Sequence, residues 1–181
     1  MALKSTIYKA ALSVADIDHG YYADHALTIA CHPSETEERL MVRVLAFALF
    51  ADERLSFGKG LSSEDEADLW QKDLTDHIER WIALGQPDEK WLRKASHRSD
   101  EVVLITYGRS SIVWWQNNER ELRKLDKLRV LHLPEDMSQA LAARAQRGMR
   151  WQCTIQDGNI WMSDEEGAIE IRLDEWKAVA A

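Results

Sequence analysis

Two carboxylates, Asp68 and Glu79, lie on neighbouring segments whose spacing could bring them together. Asp68 begins DLWQKD and Glu79 lies inside HIERWIAL, and a tight link near Leu74–Asp76 would join the two segments as an antiparallel hairpin. Two carboxylates held close repel each other, so they would share a proton or a divalent cation. Oxygen ligands favour Mg²⁺ or Mn²⁺, which polarises a phosphoryl oxygen and activates water. The alternative for Asp68 is a strand cap.

A phosphodiesterase site also needs a cation that orients water or stabilises charge on the phosphate. The next position on the strand face that carries Glu79 is Trp81, which cannot supply one. Lys90 and Lys94 lie four residues apart on one face of the predicted helix that follows. Lys94, nearer the apolar positions, is the predicted residue and Lys90 the fallback. The alternative for Lys94 is an ordinary solvated lysine.

Two further polar residues are candidates for the same site. Glu38 borders the buried stripe of a long apolar helix, where a carboxylate is costly unless it is paired or bound to metal. It could equally turn out to solvent. Gln86 follows a strand at a Gln-Pro-Asp turn, where a phosphate would arrive. We expect Glu38 to be an auxiliary acid and Gln86 to contact the phosphate.

Other residue types that often carry chemistry show no matching pattern. The six histidines form no close pair with metal-ligand spacing, and Cys31 and Cys153 lie far apart in separate strand patterns. Trp114 and Trp115 could stack on bases. In an amphipathic helix, however, such a pair is more often one core residue and one partly exposed neighbour. We expect Trp114 and Trp115 to be structural.

Hydrophobic patterning predicts the elements that must position the candidate residues. Alternation predicts two strands over residues 5–32, and Ser34 with Glu37 has the spacing of a capping box before a helix that ends near Phe50. The segment EVVLITYG is apolar throughout its middle, which is typical of a central strand buried on both faces. Asp157-Gly158 is a hairpin signal inside a C-terminal meander.

The order of all predicted elements indicates the fold class. Further strands are predicted near residues 55–58, 68–73, 77–84, 101–108 and 128–133, and further helices near residues 88–97, 111–124 and 135–147. This order indicates an α/β (α+β) fold with a mixed central sheet flanked by helices, plus an N-terminal β-hairpin and a C-terminal β-meander.

Composition limits the classes of partner. The 181 residues suit one domain, 1–181, and the net charge of −8 argues against a general nucleic-acid coat. Residues 52–89 hold eleven acids and four Lys or Arg, whereas residues 120–150 hold four acids and eight Lys or Arg. That contrast suits a metal site beside a phosphate-binding surface, or ordinary patchiness. No apolar run is long enough to span a membrane, so we expect a cytoplasmic protein without a membrane partner.

Several segments resemble one known family across essentially the whole chain. They are MALKSTIYKA, HPSETEERLMVRVLAFALFADERL, LGQPDEKWLRKA, ITYGRSSIVWWQ and TIQDGNIWMSD. The sequence resembles the YaeQ family, whose fold is similar to that of the PD-(D/E)XK nucleases, in a variant with a migrated lysine. The resemblance implies Asp68 and Glu79 as the two motif acids, Lys94 as the migrated lysine and Glu38 as the helix acid. Trp81 stands where the usual lysine would be.

Two functions follow as expectations. The first is a Mg²⁺- or Mn²⁺-dependent nuclease acting on DNA or RNA, with Asp68 and Glu79 as metal ligands and Lys94 as the catalytic cation. The second is a non-catalytic binding or regulatory module that keeps the nuclease fold and holds nucleic acid or a protein partner. Trp81 and the acidic net charge favour the second, and the two acids with a reachable lysine favour the first.

Overall fold

The computed structural model describes residues 4–59 and 65–180, which form two compact units. The first unit draws on Met1–Ala51 and Asp136–Arg172, and the second on Asp52–Glu135 and Leu173–Ala181. The chain therefore passes from the first unit to the second, returns to the first at Asp136, and ends in the second. Among the described residues, no helix combines the length and apolar character needed to cross a membrane.

The first unit is built on a five-stranded mixed sheet. Its strands are β1 (Thr6–Asp16), β2 (Tyr21–Cys31), β8 (Gly148–Gln156), β9 (Asn159–Asp164) and β10 (Gly167–Ile171), in the order β10-β9-β8-β1-β2. Strands β1 and β8 are parallel and the other neighbours are antiparallel. The predicted hairpin and meander are confirmed, and the β1–β8 pairing joins them in one sheet.

Helix α1 (Glu37–Leu49) begins one residue after a threonine cap, not at the predicted capping box. Thr36 Oγ1 accepts from Arg39 N at 3.1 Å, whereas Ser34 Oγ lies 2.6 Å from His32 Nδ1. Thr36 is the cap because the side chain at the N-cap position is the one that reaches the N–H of the third helical residue. Helix α4 (Glu135–Ala142) is shorter than predicted.

The second unit is built on a six-stranded mixed sheet with two crossover helices. Its strands are β3 (Leu55–Phe57), β4 (Leu69–Lys72), β5 (Ile78–Leu84), β6 (Ser99–Tyr107), β7 (Leu128–Leu133) and β11 (Asp174–Lys177), in the order β11-β7-β6-β5-β4-β3. Strands β5, β6 and β7 run parallel, connected by α2 (Glu89–Arg98) and α3 (Ser110–Leu122). Strand β11 has no counterpart among the predicted elements.

Apolar side chains of both crossover helices pack on one face of this sheet. The cluster includes Trp81, Val102, Leu104, Leu128 and Val130 of the strands, Leu92 and Ala95 of α2, and Trp115 and Leu122 of α3. Helix α2 starts where the sequence indicates, because Asp88 caps it through Lys90 N and Pro87 precedes the cap. The predicted α+β class, with mixed sheets and flanking helices, is confirmed.

Candidate functional site

Asp68 lies immediately before β4, and its carboxylate contacts the backbone at the last residue of β5. Its Oδ2 accepts a hydrogen bond from Leu84 N at 2.8 Å, and its backbone N donates to Ile82 O at 3.1 Å. The side chain is buried, so the bond to Leu84 satisfies a backbone donor that water cannot easily reach. This contact matches the strand-cap alternative for Asp68.

Glu79 is the extra residue of a β-bulge in β5. The register passes from Gln71 opposite Arg80 to Lys72 opposite Ile78, so no β4 residue opposes Glu79. Its carboxylate accepts from Arg54 Nη1 at 2.5 Å and from Gln71 Nε2 at 2.9 Å. Arg54 donates hydrogen bonds to Asp52 and to Glu79, and these bonds raise the pKa of the Arg54 guanidinium.

The bulge corrects the expectation that Glu79 and Trp81 share a strand face. Trp70 and Trp81 are cross-strand partners whose rings are in contact, so both point to the helix side of the sheet. Gln71, the next residue of β4, points to the opposite side, and Glu79 hydrogen-bonds to it. A bulge re-aims a side chain in this way by inserting one residue into the alternation.

The two carboxylates, as placed, do not fit a shared divalent cation. Oxygens that ligate one Mg²⁺ lie within about 4 Å of each other, because each bond is about 2.1 Å. The Asp68 carboxylate is at Leu84 N, whose backbone lies five residues, roughly 15 Å, along the strand from Glu79. Within residues 4–59 and 65–180, no three His, Cys, Asp or Glu side chains are grouped to hold a metal ion. Ligation by Asp68 and Glu79 stays a prediction.

Trp81 occupies the centre of an aromatic cluster. It is 1% exposed, and its ring makes edge contacts with Trp70 at 5.7 Å and with Trp91 at 5.5 Å between centroids. Its indole N–H is buried without a hydrogen-bond partner, which costs about 1–3 kcal/mol. The position at which the nuclease pattern would have a lysine therefore belongs to the core of the second unit.

Lys94 lies on the exposed side of α2 and pairs with Asp65 at 3.3 Å, Nζ to Oδ1. Arg98, one turn further along the helix, donates to the backbone oxygen of Asp65 at 2.8 Å. The ion-pair partner of Lys94 in the structure is therefore neither of the predicted motif acids. Lys90, the fallback, is exposed in the first turn of α2.

Glu38 and Gln86 make separate contacts in different units. In the first unit, Glu38 Oε2 accepts from Ser138 Oγ at 3.0 Å and Gln139 Nε2 at 2.8 Å, which joins α1 to α4. In the second unit, Gln86 Nε2 donates to Ser110 Oγ at 2.7 Å, at the start of α3. Gln86 thus lies at the carboxyl ends of parallel strands, where open α/β sheets bind ligands.

Sequence reasoning missed the partners that define these contacts. Arg54 and Gln71 hold Glu79, and Asp65 pairs with Lys94, yet none of the three belonged to the predicted site. Gln71 had a detectable signal, because it follows Trp70 directly in the alternating segment DLWQKD and so points to the other face of β4. Arg54 and Asp65 carried no local signal, since their partners are 25 and 29 residues away.

The fold is that of a mixed α+β protein, and comparisons place it in one family. The family model described as YaeQ protein matches residues 1–173. The "Uncharacterized protein YaeQ" of Escherichia coli (strain K12) is 45% identical over 178 residues, 98% of each chain, and that of Salmonella typhi is 46% identical over the same length. The chain belongs to the YaeQ family.

Two solved structures have the same architecture. The crystal structure of YaeQ protein from Xanthomonas axonopodis pv. citri has a TM-score of 0.92 and 48% identity, and covers 96% of this chain and 99% of that chain. The YaeQ protein from Pseudomonas syringae has a TM-score of 0.92 and 38% identity, with coverage of 96% and 97%. The likeness therefore spans both units.

Proposed function

We propose that the protein is a non-catalytic binding module that keeps a nuclease-like fold and binds nucleic acid without cleaving it. The observation that carries this proposal is that Arg54 and Gln71 donate to the two carboxylate oxygens of Glu79. A metal ion at Glu79 would have to displace a charge-assisted hydrogen bond from a guanidinium. Glu79 thereby supports the edge of its own sheet, and this role needs no reaction.

Trp81 adds a second argument for a non-catalytic role. The nuclease pattern needs a cation close to the two acids, but the matching position is filled by an indole packed between Trp70 and Trp91. Lys94, its expected replacement, pairs with Asp65. Without a cation directed at the acids, charge that develops on a phosphate would lack stabilisation.

The local charge of α2 favours nucleic acid as the partner. This ten-residue helix carries Lys90, Arg93, Lys94 and Arg98 against the single acid Glu89. All four basic side chains are exposed, so the helix presents a positive surface within a chain of net charge −8. Phosphate binding depends on the local field rather than on the net charge of the whole chain.

A Mg²⁺- or Mn²⁺-dependent nuclease is the second candidate, because the segments that carry Asp68 and Glu79 do form an antiparallel hairpin. If the protein is a nuclease, substrate and cation together would displace Glu79 from its hydrogen bond with Arg54. Lys94 would also exchange Asp65 for the substrate phosphate. The two candidates therefore differ in whether activity needs a divalent cation: the binding module binds without one, whereas the nuclease cleaves only with one.

One experiment separates the two candidates. Binding of labelled single-stranded DNA, duplex DNA and structured RNA is measured by fluorescence anisotropy in EDTA and in Mn²⁺ or Mg²⁺. Cleavage of the same substrates and of supercoiled plasmid is followed in parallel. Glu79→Gln and Asp68→Asn, which each keep one acceptor oxygen but remove the charge, are prepared identically and checked for folding by circular dichroism.

We expect binding in EDTA that neither variant weakens by more than about twofold, and no cleavage above that of the variants. Metal-dependent cleavage that disappears in both variants would overturn the proposal in favour of the nuclease. Absence of binding to all three ligands by the folded protein would also overturn it, and would leave a protein partner as the remaining expectation.

A further inference from the structure

One stripe of α2 combines an aromatic ring with two cations. Trp91, Lys94 and Arg98 follow one another at intervals of three and four residues, so they lie on the same face of the helix. Trp91 is half-buried, whereas Lys94 and Arg98 are exposed. Such a stripe presents a ring and two positive charges along a length of about 10 Å, given a rise of 1.5 Å per residue.

Strand β4 adds a second ring and a third cation beside this stripe. Trp70 is half-buried and contacts the Trp81 ring, which in turn contacts Trp91. The Lys72 ammonium lies 3.8 Å from the centroid of the Trp70 ring, and the Arg98 guanidinium lies 5.0 Å from that of Trp81. These contacts join the stripe and the strand into one surface.

The chemistry of this surface matches single-stranded nucleic acid. Rings accept unpaired bases by stacking, and the neighbouring cations neutralise the phosphates between them. In a duplex the bases are stacked on each other and cannot reach the rings. Lys72 covers the Trp70 ring in the free protein, so a stacking base would release the ammonium toward a phosphate.

Asp65 occupies the cationic part of this surface. Its carboxylate pairs with Lys94, and its backbone oxygen accepts from Arg98. Both members of the ion pair are largely exposed, 64% for Lys94 and 79% for Asp65, and such pairs are weak. A carboxylate held loosely on Lys94, in a residue whose backbone oxygen accepts from Arg98, is in the position that a backbone phosphate would take.

We propose that Trp70, Lys72, Trp91, Lys94 and Arg98 form a binding surface for single-stranded nucleic acid, with Asp65 as an internal competitor of its phosphates. This inference rests on the proposed binding function and deepens it by naming the surface, the ligand class and a built-in restraint. It requires that removing the two partners of one ion pair changes affinity in opposite directions.

The experiment uses a labelled oligothymidylate of about 15 nucleotides, within the range of single-strand site sizes, and its duplex with oligoadenylate. Affinities of the 181-residue protein are measured by anisotropy at several salt concentrations. Lys94→Ala should weaken single-strand binding about five- to tenfold and make the salt dependence less steep. Asp65→Asn should tighten it about two- to fivefold, the range that an exposed ion pair spans.

The chain offers matched controls on α3 and just after it. Lys124 is 62% exposed and pairs with Glu121 at 3.0 Å, nearly the environment of Lys94. Lys124→Ala and Glu121→Gln make the same two charge changes at residues that do not belong to the proposed surface, and each should change affinity less than twofold. Lys94→Arg keeps the charge and should retain the affinity of the unmodified protein.

Three results would overturn the inference while the proposed function survives. The first is single-strand binding that Lys94→Ala and Lys124→Ala weaken equally, and the second is a failure of Asp65→Asn to tighten it. The third is equal affinity for the duplex, which would replace the single-strand class. If the unmodified protein binds no nucleic acid, whereas polyglutamate binds in a Lys94-dependent manner, the proposed function itself fails and an acidic protein partner takes its place.

Discussion

Two ion pairs, one in each unit, show how differently the units use charge. In the first unit, Arg43 and Glu35 pair at 2.7 Å with side chains that are 3% and 2% exposed. In the second unit, Lys94 and Asp65 pair at 3.3 Å with both side chains mostly in solvent. The buried pair cannot exchange partners without unfolding its surroundings, whereas the exposed pair can. We therefore expect the Arg43–Glu35 pair to maintain the fold, whereas the Lys94–Asp65 pair is exposed enough to exchange partners.

The strands of the two units also differ in how many of their residues are buried. Strands β1 and β2 of the first unit alternate between buried and exposed residues along most of their length. In β6 of the second unit, Val102 to Thr106 are buried without interruption. A sheet with two buried faces leaves polar side chains to its edges and strand ends. Asp68, Glu79 and Gln86 all occupy such positions.

The largest effect is expected from breaking the buried pair of the first unit. Arg43 donates to both Glu35 oxygens and to Ala30 O, so Arg43→Met leaves a buried carboxylate with only part of its partners. We expect the free energy of unfolding, measured in urea at pH 7, to fall by about 3–5 kcal/mol.

The double variant Arg43→Met with Glu35→Leu is the matched control. It removes both charges, and we expect it to recover most of the lost stability because an apolar pair no longer needs compensation. A loss below about 1 kcal/mol in the single variant would contradict the structural role of the pair and weaken the contrast between the units.

Asp68 provides the next largest effect, and its variants distinguish a strand cap from a ligand. Asp68→Ala leaves the N–H of Leu84 without its acceptor, so we expect a loss of about 1–3 kcal/mol in urea unfolding. Asp68→Asn keeps an acceptor oxygen and should recover at least half of that loss. Equal losses in both variants would show that the negative charge, and not the hydrogen bond, is what the site requires.

His132 tests how the second unit accommodates a buried titratable group. Burial lowers the pKa of this histidine, whose ring stacks on Trp176 at 4.2 Å and lies 2.8 Å from Thr106 Oγ1. The unfolded chain binds a proton near pH 6.5, but the folded protein binds it only at lower pH. The contribution to stability is therefore complete above about pH 6.5 and declines as the pH falls.

His77 is the matched control because its pKa shifts in the opposite direction. The hydrogen bond to Asp100 raises the pKa of His77, so its contribution is present below about pH 6.5 and declines as the pH rises through the folded-state value. Urea unfolding of His132→Gln and His77→Asn from pH 5 to pH 8 should show opposite changes in slope relative to the unmodified protein. If both variants changed the slope of stability against pH in the same direction, one of the two pKa directions would be wrong.

The smallest effect is expected from the exposed pair of the second unit. Lys94→Ala and Asp65→Asn should each change the free energy of unfolding by less than about 0.5 kcal/mol, because exposed pairs contribute little to stability. Thermal unfolding at pH 7 measures this directly. A loss above about 1.5 kcal/mol in either variant would mean that the pair maintains the fold, and the contrast with Arg43 and Glu35 would no longer hold.

The local elements of this protein could be predicted from its sequence because each depends on neighbouring residues. Alternation over residues 5–32 indicates the first hairpin, Asp88 indicates the start of α2, and Asp157-Gly158 indicates the β8–β9 turn. The segments that indicate family membership are local as well. The residue types of the candidate site, two acids on a hairpin followed by lysines on a helix, were equally available from the sequence.

Only the tertiary structure decided which of these groups meet. The parallel pairing of β1 with β8, the bulge that turns Glu79 toward Gln71, and the ion pair of Asp65 with Lys94 each join segments that are remote or shifted in register. One inserted residue reverses the face of a strand side chain, and a long-range partner leaves no periodic trace in the sequence. The sequence by itself therefore determined the elements and the chemical groups, whereas long-range packing decided which side chains each charged group contacts.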